Sequence, residues 1–335
     1  MQECLNLALK GFPNTFPNPM VGSVIVHNGK IIGKGYHQKY GSNHAEVNAI
    51  NDVKDSELLK ESTLYVNLEP CIHFGKTPPC VNYIIKYKIP RVVVGCLDSS
   101  SKISGKGIQK LKKEGIKVIS GILKNESRNI NKRFFTYHEK KRPYIILKWA
   151  ESKDNFIAPK KQNTSFWMTG FESKKIVHQW RKEEDAILIG RKTAQKDNPL
   201  LTVREVIGKN PIRIIIDPKL KLESHLNIFN NNAKTIIINQ LKDKKMSNIE
   251  FIKLNLTDSI SNLLEKLHEY KIQSIIIEGG AKTLEKFIKH KIWDEARIFT
   301  ANKTLDSGIN APKIHGKTIS KKEISEDILK IIVND

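Results

Sequence analysis

The sequence predicts an α/β protein of two domains, an N-terminal α/β/α sandwich around a mixed sheet followed by a second α/β domain. Its 335 residues are too many for one ordinary domain and natural for two. Short apolar runs of strand character alternate with segments of helical periodicity along most of the chain. A charged stretch that ends in Pro143 separates two such series. We therefore expect the domains to comprise residues 1–142 and 143–335.

The N-terminal series opens with a predicted β-hairpin. Apolar runs at 21–26 and 31–36 flank Asn28-Gly29, a dipeptide that favours a tight hairpin turn. Alternation predicts a strand at 63–68, and a continuous apolar run predicts a buried strand at 91–96. Helical periodicity and helix-ending residues predict helices at 45–53, 79–87, 108–114 and 124–138.

The C-terminal series repeats the alternation of strands and helices. Apolar runs predict strands at 144–150, 186–190, 212–217, 235–239 and 274–278. Periodic segments predict helices near 172–182, 259–270 and 281–290. Because the two kinds of element alternate, this half is also expected to be an α/β domain.

The formal net charge is +22, with a pI near 9.7, which raises the question of a nucleic-acid partner. Only nine of the 57 basic residues are arginine, the cation that base and phosphate recognition usually favours. The lysines are scattered, and abundant lysine, isoleucine and asparagine are typical of AT-rich codons. We therefore attribute the charge to composition and expect no nucleic-acid partner.

Membrane and export signals are not evident in the sequence. No apolar run approaches the length of a membrane span, and the first residues lack the basic and apolar regions of a secretory signal. Four cysteines are too few for a disulfide scaffold. We expect a cytoplasmic protein that has no membrane partner.

A metal-binding pattern lies in the N-terminal series. His44-Ala45-Glu46 begins a predicted helix, and Cys71 and Cys80, each preceded by proline, follow a predicted strand. One histidine and two cysteines can hold Zn²⁺ and leave the fourth position to water, as a catalytic zinc requires. Glu46 is placed to shuttle the proton of that water during a hydrolytic deamination. The order H-x-E then P-C-x-x-C is typical of zinc deaminases, although eight residues separate these cysteines.

Two strand–turn–helix segments mark the C-terminal series. Residues 187–193 run from a strand through Gly190 into a basic helix start, and residues 275–284 pass through Gly279-Gly280 into a helix. Each segment presents unpaired backbone N–H groups at the end of a strand, which favours phosphate or pyrophosphate. The fingerprint G-x-G-x-x-G is missing, which disfavours an ordinary Rossmann domain.

Further motifs surround the metal-binding pattern, namely Pro17-Asn18-Pro19-Met20-Val21-Gly22, Gly33-x-Gly35-x-His37 and His44-Ala45-Glu46-Val47. Together with the long cysteine spacing, they resemble the deaminase half of the bifunctional riboflavin-biosynthesis deaminase–reductases. The resemblance covers nearly all of residues 1–125 and implies a cytidine-deaminase-like sandwich. It also implies a phosphoribosylated pyrimidine substrate, contacted by Asn18, His37, His73 and Lys76. Lys76 suits a phosphate by its charge alone.

The C-terminal half carries its own set of motifs, which are Pro143-Tyr144-Ile145-Ile146-Leu147-Lys148, Ser165-Phe166-Trp167-Met168-Thr169, His178-x-x-Arg181, Asp197-Asn198-Pro199-Leu200-Leu201-Thr202-Val203-Arg204 and Pro211-Ile212-Arg213. With the glycine turns, they resemble the reductase half of the same enzymes. The resemblance implies a dihydrofolate-reductase-like α/β domain that uses NADPH.

Carried over by position, the resemblance implies substrate contacts at Lys148, Ser165, Arg181, Leu201, Arg204 and Glu278. It implies NADPH contacts at Glu151, Trp167, Thr193, Asp197, Gly280, Ala281, Lys282, Thr283 and Leu284. Two glycines of the family are replaced here by Asn155 and Asp306, and a proline by Asn302. Asparagine still tolerates a positive φ.

We therefore expect hydrolytic deamination of 2,5-diamino-6-(5-phosphoribosylamino)pyrimidin-4-one, followed by NADPH reduction of its ribosyl group to ribityl. One zinc per chain and a homo-oligomer are expected. Two alternatives stay open at this point. The chain could be a deaminase of nucleic-acid bases with a C-terminal binding module, or a deaminase whose reductase domain is degenerate.

Overall fold

The computed structural model describes residues 1–100, 104–160, 166–255 and 260–334. The chain divides into two compact units, Met1–Lys141 and Arg142–Asp335. Each unit contains its own sheet and its own hydrophobic core. Within the described ranges, no helix combines the length and apolarity that a membrane span would need.

The N-terminal unit alternates strands and helices as predicted. Its strands are β1 (Gly22–His27), β2 (Lys30–Tyr36), β3 (Thr63–Leu68), β4 (Arg91–Cys96) and β5 (Lys117–Ser120). Its helices are α1 (Gln2–Leu9), α2 (Ala45–Asn51), α3 (Cys80–Lys86), α4 (Lys106–Lys113), α5 (Lys124–Ile130) and α6 (Lys132–Lys140), with a 3₁₀ turn at Ser56–Glu61.

The N-terminal sheet is mixed, with the strand order β2-β1-β3-β4-β5. Strand β1 pairs antiparallel with β2 and β3, whereas β3, β4 and β5 are parallel. Asn28 and Gly29 have φ values of 46° and 73° in the turn between β1 and β2, which confirms the predicted hairpin. Alternate residues of β3 and β4, such as Leu64 and Val92, are fully buried in the core.

Helix α2 lies directly on the backbone of β2 because the strand carries glycine at the point of contact. A Cβ atom at Gly35 would lie 2.3 Å from the backbone nitrogen of Ala49 and 2.5 Å from the carbonyl oxygen of Ala45. Any side chain there would therefore push the helix away from the sheet. This close packing fixes the start of α2, where His44 and Glu46 lie.

The predicted basic helix at 124–138 is wrong in one respect, because the structure has two helices that meet at Asn131. This residue has φ −103° and ψ 23°, outside the helical region. Its side chain accepts a hydrogen bond from the N–H of Met20 at 2.8 Å and donates one to the carbonyl of Met20 at 2.9 Å. This long-range pair competes with helix continuity, and helical periodicity does not reveal it.

The C-terminal unit is also an α/β domain. Its strands are β6 (Tyr144–Glu151), β7 (Phe156–Ala158), β8 (Ala186–Gly190), β9 (Ile212–Ile216), β10 (Thr235–Asn239), β11 (Lys244–Lys245), β12 (Ile249–Lys253), β13 (Ser274–Gly279), β14 (Glu295–Thr300), β15 (Ile309–Asn310), β16 (Lys317–Ile324) and β17 (Asp327–Val333). Its helices are α7 (Phe171–Glu183), α8 (Arg191–Asp197), α9 (Ile260–Glu269) and α10 (Ala281–Lys289), with a 3₁₀ turn at Asn227–Phe229.

The large C-terminal sheet has the strand order β11-β12-β10-β9-β8-β13-β6-β14-β17-β16. The strands from β12 to β14 in this order are parallel, and β11, β17 and β16 pair antiparallel at the two ends. Because β8, β13 and β6 are parallel neighbours, their carboxyl ends meet at one edge. The predicted helix at 259–270 is present as α9, while Ser259 lies outside the described residues.

The departures from the family's glycines fall in two loops that contact each other. Asn155 has φ 63°, which confirms that asparagine takes the left-handed conformation there, and Asp306 has φ 58°. The Asp154 carboxylate accepts hydrogen bonds from the N–H groups of Leu305 and Asp306. These hydrogen bonds hold the two loops together without glycine at either position. Among the described residues, Asn302 makes no comparable hydrogen bond.

Candidate active sites

Three candidate metal ligands of the N-terminal unit converge. One ligand atom each from His44, Cys71 and Cys80 lies within 4.8 Å of the others, so the cluster offers one nitrogen and two sulfurs. The Nδ1 atom of His44 is 3.4 Å from Sγ of Cys71 and 3.3 Å from Sγ of Cys80. Tetrahedral zinc with ordinary Zn–N and Zn–S bonds would separate such atoms by about 3.6 Å. The donor set therefore fits Zn²⁺ in both chemistry and spacing.

Two helix starts and one loop place these ligands. His44 is the N-cap residue of α2, and Cys80 is the first residue of α3. Cys71 follows β3 and is tied to α3, because Val81 donates its N–H to the Cys71 carbonyl at 3.2 Å and Cys80 donates its N–H to the Cys71 sulfur at 3.3 Å. The second bond stabilises a thiolate at Cys71.

The Pro70-Cys71 segment is anchored by Glu69, a role that the sequence does not reveal. The buried carboxylate of Glu69 accepts hydrogen bonds from the backbone N–H groups of Asp98, Gly105, Gly107 and Ile108, at 2.8 to 3.2 Å. A Cβ atom at Gly107 would lie 2.2 Å from the Pro70 carbonyl oxygen. The start of α4 is therefore locked against the ligand loop.

Glu46 is buried beside the ligands, in the first turn of α2, and is 3% exposed. Burial, with a smaller contribution from the charge of Cys71, raises the pKa of Glu46 to about 7. Hydrogen bonding from Cys80 and then from His44 lowers the pKa of Cys71 to about 4, against the effect of burial. A carboxyl group poised near neutrality can both accept and release a proton.

Asn18 and His37 lie next to the metal ligands. The Nδ1–H of His37 donates to the carbonyl of Asn43 at 3.0 Å, so its Nε2 accepts a hydrogen bond from the Asn18 amide at 3.1 Å. The rings of His37 and His44 are 5.3 Å apart, edge to face. Burial lowers the pKa of His37, which favours its neutral form. The predicted pair is therefore held in one orientation beside the ligands.

His73 and Lys76 lie on the exposed loop between the two cysteines. The Nζ atom of Lys76 is 4.1 Å from the centroid of the Tyr40 ring, a cation–π contact that holds the ammonium group at the loop. No sequence signal singles out Tyr40. The structure gives His73 no contact with the other predicted substrate residues.

In the C-terminal unit, three predicted substrate residues form one charge cluster. Arg181 on α7 donates from Nε and Nη2 to both carboxylate oxygens of Glu278 on β13, at 3.3 and 2.9 Å. Burial would raise the pKa of Glu278, but the charges of Arg181 and Lys148 outweigh it and bring the value to about 2. Burial, and then the charge of Arg181, lower the pKa of Lys148, while Glu278 opposes them. The cluster therefore places two basic side chains beside one ionised carboxylate.

The remaining predicted substrate residues lie on one loop or outside the described chain. Leu201 is buried and has φ 54°, an unusual conformation for leucine that the surrounding contacts must maintain. Arg204 is exposed and donates from Nη1 to the Thr202 hydroxyl at 3.1 Å. Ser165 lies outside the described residues.

The two glycine turns predicted to bind phosphate face each other. A Cβ atom at Gly190 would lie 2.8 Å from the Oγ1 atom of Thr283, and a Cβ atom at Gly280 would lie 3.1 Å from that of Thr193. Gly279 has φ 114°, which requires glycine. The starts of α8 and α10 therefore converge, and their backbone N–H groups suit a pyrophosphate. The first turn of α10 carries the predicted contacts Ala281, Lys282, Thr283 and Leu284.

Three more predicted NADPH contacts lie apart from these turns. Trp167 is 54% exposed, with Nζ of Lys174 5.2 Å from its ring centroid. Asp197 is the last residue of α8. Glu151 ends β6, where its carboxylate accepts a hydrogen bond from the Trp149 indole at 2.7 Å. The structure gives these three residues no contact with one another.

Comparison with known families divides the chain in the same two parts. The family described as the RibD C-terminal domain matches residues 143–327. The family described as the cytidine and deoxycytidylate deaminase zinc-binding region matches residues 1–96. The second match contains all three candidate metal ligands and Glu46.

Similar proteins extend over almost the whole chain. A riboflavin biosynthesis protein RibD from Aquifex aeolicus is 42% identical over 92% of this chain and 88% of its own length. A protein of the same name from Buchnera aphidicola is 38% identical over 91% of this chain and 87% of its own length.

A solved structure from Thermotoga maritima has the same overall architecture. It is described as a diaminohydroxyphosphoribosylaminopyrimidine deaminase and 5-amino-6-(5-phosphoribosylamino)uracil reductase. It is 34% identical, with a TM-score of 0.89 and coverage of 100% of this chain and 97% of the other.

Proposed function

This chain belongs to the RibD family of bifunctional riboflavin-biosynthesis deaminase–reductases, and we propose that its two units act in succession on one small molecule. Zinc serves the deaminase domain and NADPH the reductase domain. The substrate is 2,5-diamino-6-(5-phosphoribosylamino)pyrimidin-4-one. The first reaction replaces a ring amino group by oxygen, and the second reduces the ribosyl group to ribityl.

The observation that carries the proposal is the set of His44, Cys71 and Cys80 with Glu46 buried beside it. When bound, zinc supplies an activated water near neutral pH. Glu46 takes the proton of that water and passes it to the departing amino group, a role that its raised pKa supports. Asn18 and His37 orient the pyrimidine, and Lys76 attracts the phosphate.

In the reductase domain, the facing glycine turns support a pyrophosphate site. When bound, NADPH supplies the hydride. Glu278 lies near the carboxyl end of β13 and Lys148 lies on the adjacent parallel strand β6, where both can contact the ribosyl group. Arg181 already donates to both carboxylate oxygens of Glu278, whereas Arg204 makes no ion pair with a described carboxylate, so Arg204 binds the phosphate.

The alternative of a nucleic-acid base deaminase is disfavoured, because the C-terminal half matches a reductase family. A homo-oligomer in the cytoplasm remains a proposal that light scattering and cell fractionation would test.

Incubation of the purified protein with the diaminopyrimidine nucleotide tests the function directly. Without NADPH, mass spectrometry should show only the deaminated nucleotide, and with NADPH it should also show the ribityl product. Recovery of unchanged substrate in both reactions would refute the proposal.

A further inference from the structure

His178 is a fully buried histidine on α7, one helical turn before Arg181. Its Nδ1 atom accepts a hydrogen bond from the backbone N–H of Arg204 at 2.9 Å. A ring nitrogen that accepts a hydrogen bond carries no proton, so the proton of the neutral ring is on Nε2. Within the described part of the chain, this second nitrogen is buried and has no hydrogen-bond partner.

The surroundings keep this ring neutral. Burial, followed by the charges of Arg181, Arg204 and Lys174, lowers the pKa of His178 to about 4, and Glu205 offsets only part of the effect. His178 therefore adds no positive charge to the site near neutral pH. What His178 contributes is a hydrogen-bond acceptor, its Nδ1 atom, at a fixed position beside the backbone N–H of Arg204.

Helix α7 holds the loop that carries Arg204 at two nearby points. Nη1 of Arg181 donates to the Thr202 carbonyl at 3.3 Å, and His178 accepts the N–H of Arg204. The same loop begins with Leu201 in its left-handed conformation, which requires support from neighbouring contacts. The side chain of His178 thus fixes the backbone of Arg204. His178 has no other role in the proposed reaction.

The charge of Arg204 is still available to a ligand. Its guanidinium makes no ion pair with a carboxylate of the described residues, and its hydrogen bond goes to the neutral Thr202 hydroxyl. In contrast, both oxygens of Glu278 already receive hydrogen bonds from Arg181. The guanidinium of Arg204 is therefore available to bind an anionic group.

We propose that His178 is a positioning residue for the substrate phosphate, which acts by fixing the backbone of Arg204 through its Nδ1 atom. The inference rests on the proposed function, because it takes the phosphoribosyl nucleotide as the anionic ligand. It assigns His178 no contact with the reacting atoms.

Two substitutions of His178 distinguish the roles of its two ring nitrogens. In H178N the amide oxygen can occupy the place of Nδ1 and still accept the N–H of Arg204. In H178Q the amide group reaches the place of Nε2, and the acceptor at Nδ1 is lost. Both variants keep a neutral polar side chain, and their thermal midpoints are measured to check that they fold.

The assay is steady-state reductase kinetics on the deaminated nucleotide, with the concentrations of nucleotide and NADPH varied in turn. In H178Q, loss of one oriented hydrogen bond should raise the KM for the nucleotide about fivefold and change kcat by less than about twofold. H178N should have a KM for the nucleotide close to that of the wild type. The KM for NADPH and the deaminase rate should remain at wild-type values in both variants.

The dephosphorylated nucleoside provides the matched control. It lacks the group that Arg204 binds, so wild type and H178Q should reduce it with the same KM. Equal impairment of H178N and H178Q, a wild-type KM in H178Q, or an equal penalty on the nucleoside would overturn the role of His178. Failure of the wild-type protein to reduce the nucleotide would instead refute the proposed function.

Discussion

Replacement of Glu278 by glutamine should destabilise the C-terminal unit, because it leaves the buried guanidinium of Arg181 without its counter-ion. The side chains of Arg181 and Glu278 are only 9% and 11% exposed. The pKa of Glu278 falls from 4.5 to about 2, which corresponds to roughly 3 kcal/mol of stability at neutral pH. Breaking a buried ion pair from one side typically costs about 3–5 kcal/mol, in agreement with that figure.

The expected change is large enough to measure by thermal unfolding. For a unit of this size, 1 kcal/mol shifts the midpoint by about 2–4 °C, so E278Q should lower it by roughly 6–12 °C. All four tryptophans of the chain lie in the C-terminal unit, Arg142–Asp335. Their fluorescence therefore follows unfolding of that unit, and the deaminase rate gives an independent readout of the other unit.

The exposed Glu285 on α10 offers a matched control, since E285Q makes the same change of charge without breaking a buried pair. The pH dependence provides a second check. A carboxyl group with a depressed pKa stabilises the fold above its unfolded pKa of 4.5, and this contribution is lost as the pH falls towards 2. The difference between wild type and E278Q should therefore shrink below about pH 4.5. A midpoint in E278Q no lower than in E285Q would refute this reasoning.

The remaining predictions concern the metal, the proton shuttle, the phosphate and the net charge. C80S should retain little zinc by atomic absorption, and full occupancy would contradict its assignment as a ligand. E46Q should keep its zinc but lose deamination by about 10²–10⁴-fold, with the reductase rate on deaminated nucleotide as control. R204A should raise the reductase KM for the nucleotide about tenfold and leave deamination unchanged. Binding to RNA should weaken steeply with salt, and sequence-selective binding or editing at physiological salt would reinstate the nucleic-acid alternative.

Strong local patterns account for what could be predicted of the fold. The hairpin at Asn28-Gly29 and the apolar strands of both halves are specified by turn chemistry and by continuous or alternating hydrophobicity. The sequence does not predict the strands β5, β7, β11, β12, β14, β15, β16 and β17. Strand β16 lies at the end of the sheet and buries none of its residues, so its sequence carries little hydrophobic alternation.

The sequence by itself determined the chemistry of the first site. The residue types at 44, 46, 71 and 80 predict zinc-dependent deamination, because few other functions need one histidine, one glutamate and two cysteines in that order. The resemblance to a family also supplied the candidate residues of the reductase site. The sequence shows the charge of each of these residues, but it does not show which residue each one forms a hydrogen bond or ion pair with.

Only the tertiary structure decided which of these charges remain available. Arg181 and Arg204 are equivalent in the sequence, yet the first is paired with Glu278 and the second is free of an ion pair with any described carboxylate. Likewise, His178 becomes a neutral acceptor for Arg204 only because a loop 26 residues away returns to α7. Hydrogen bonds and charge pairs act through space over a few ångströms, so contacts between distant segments exist only once the sheet has brought those segments together.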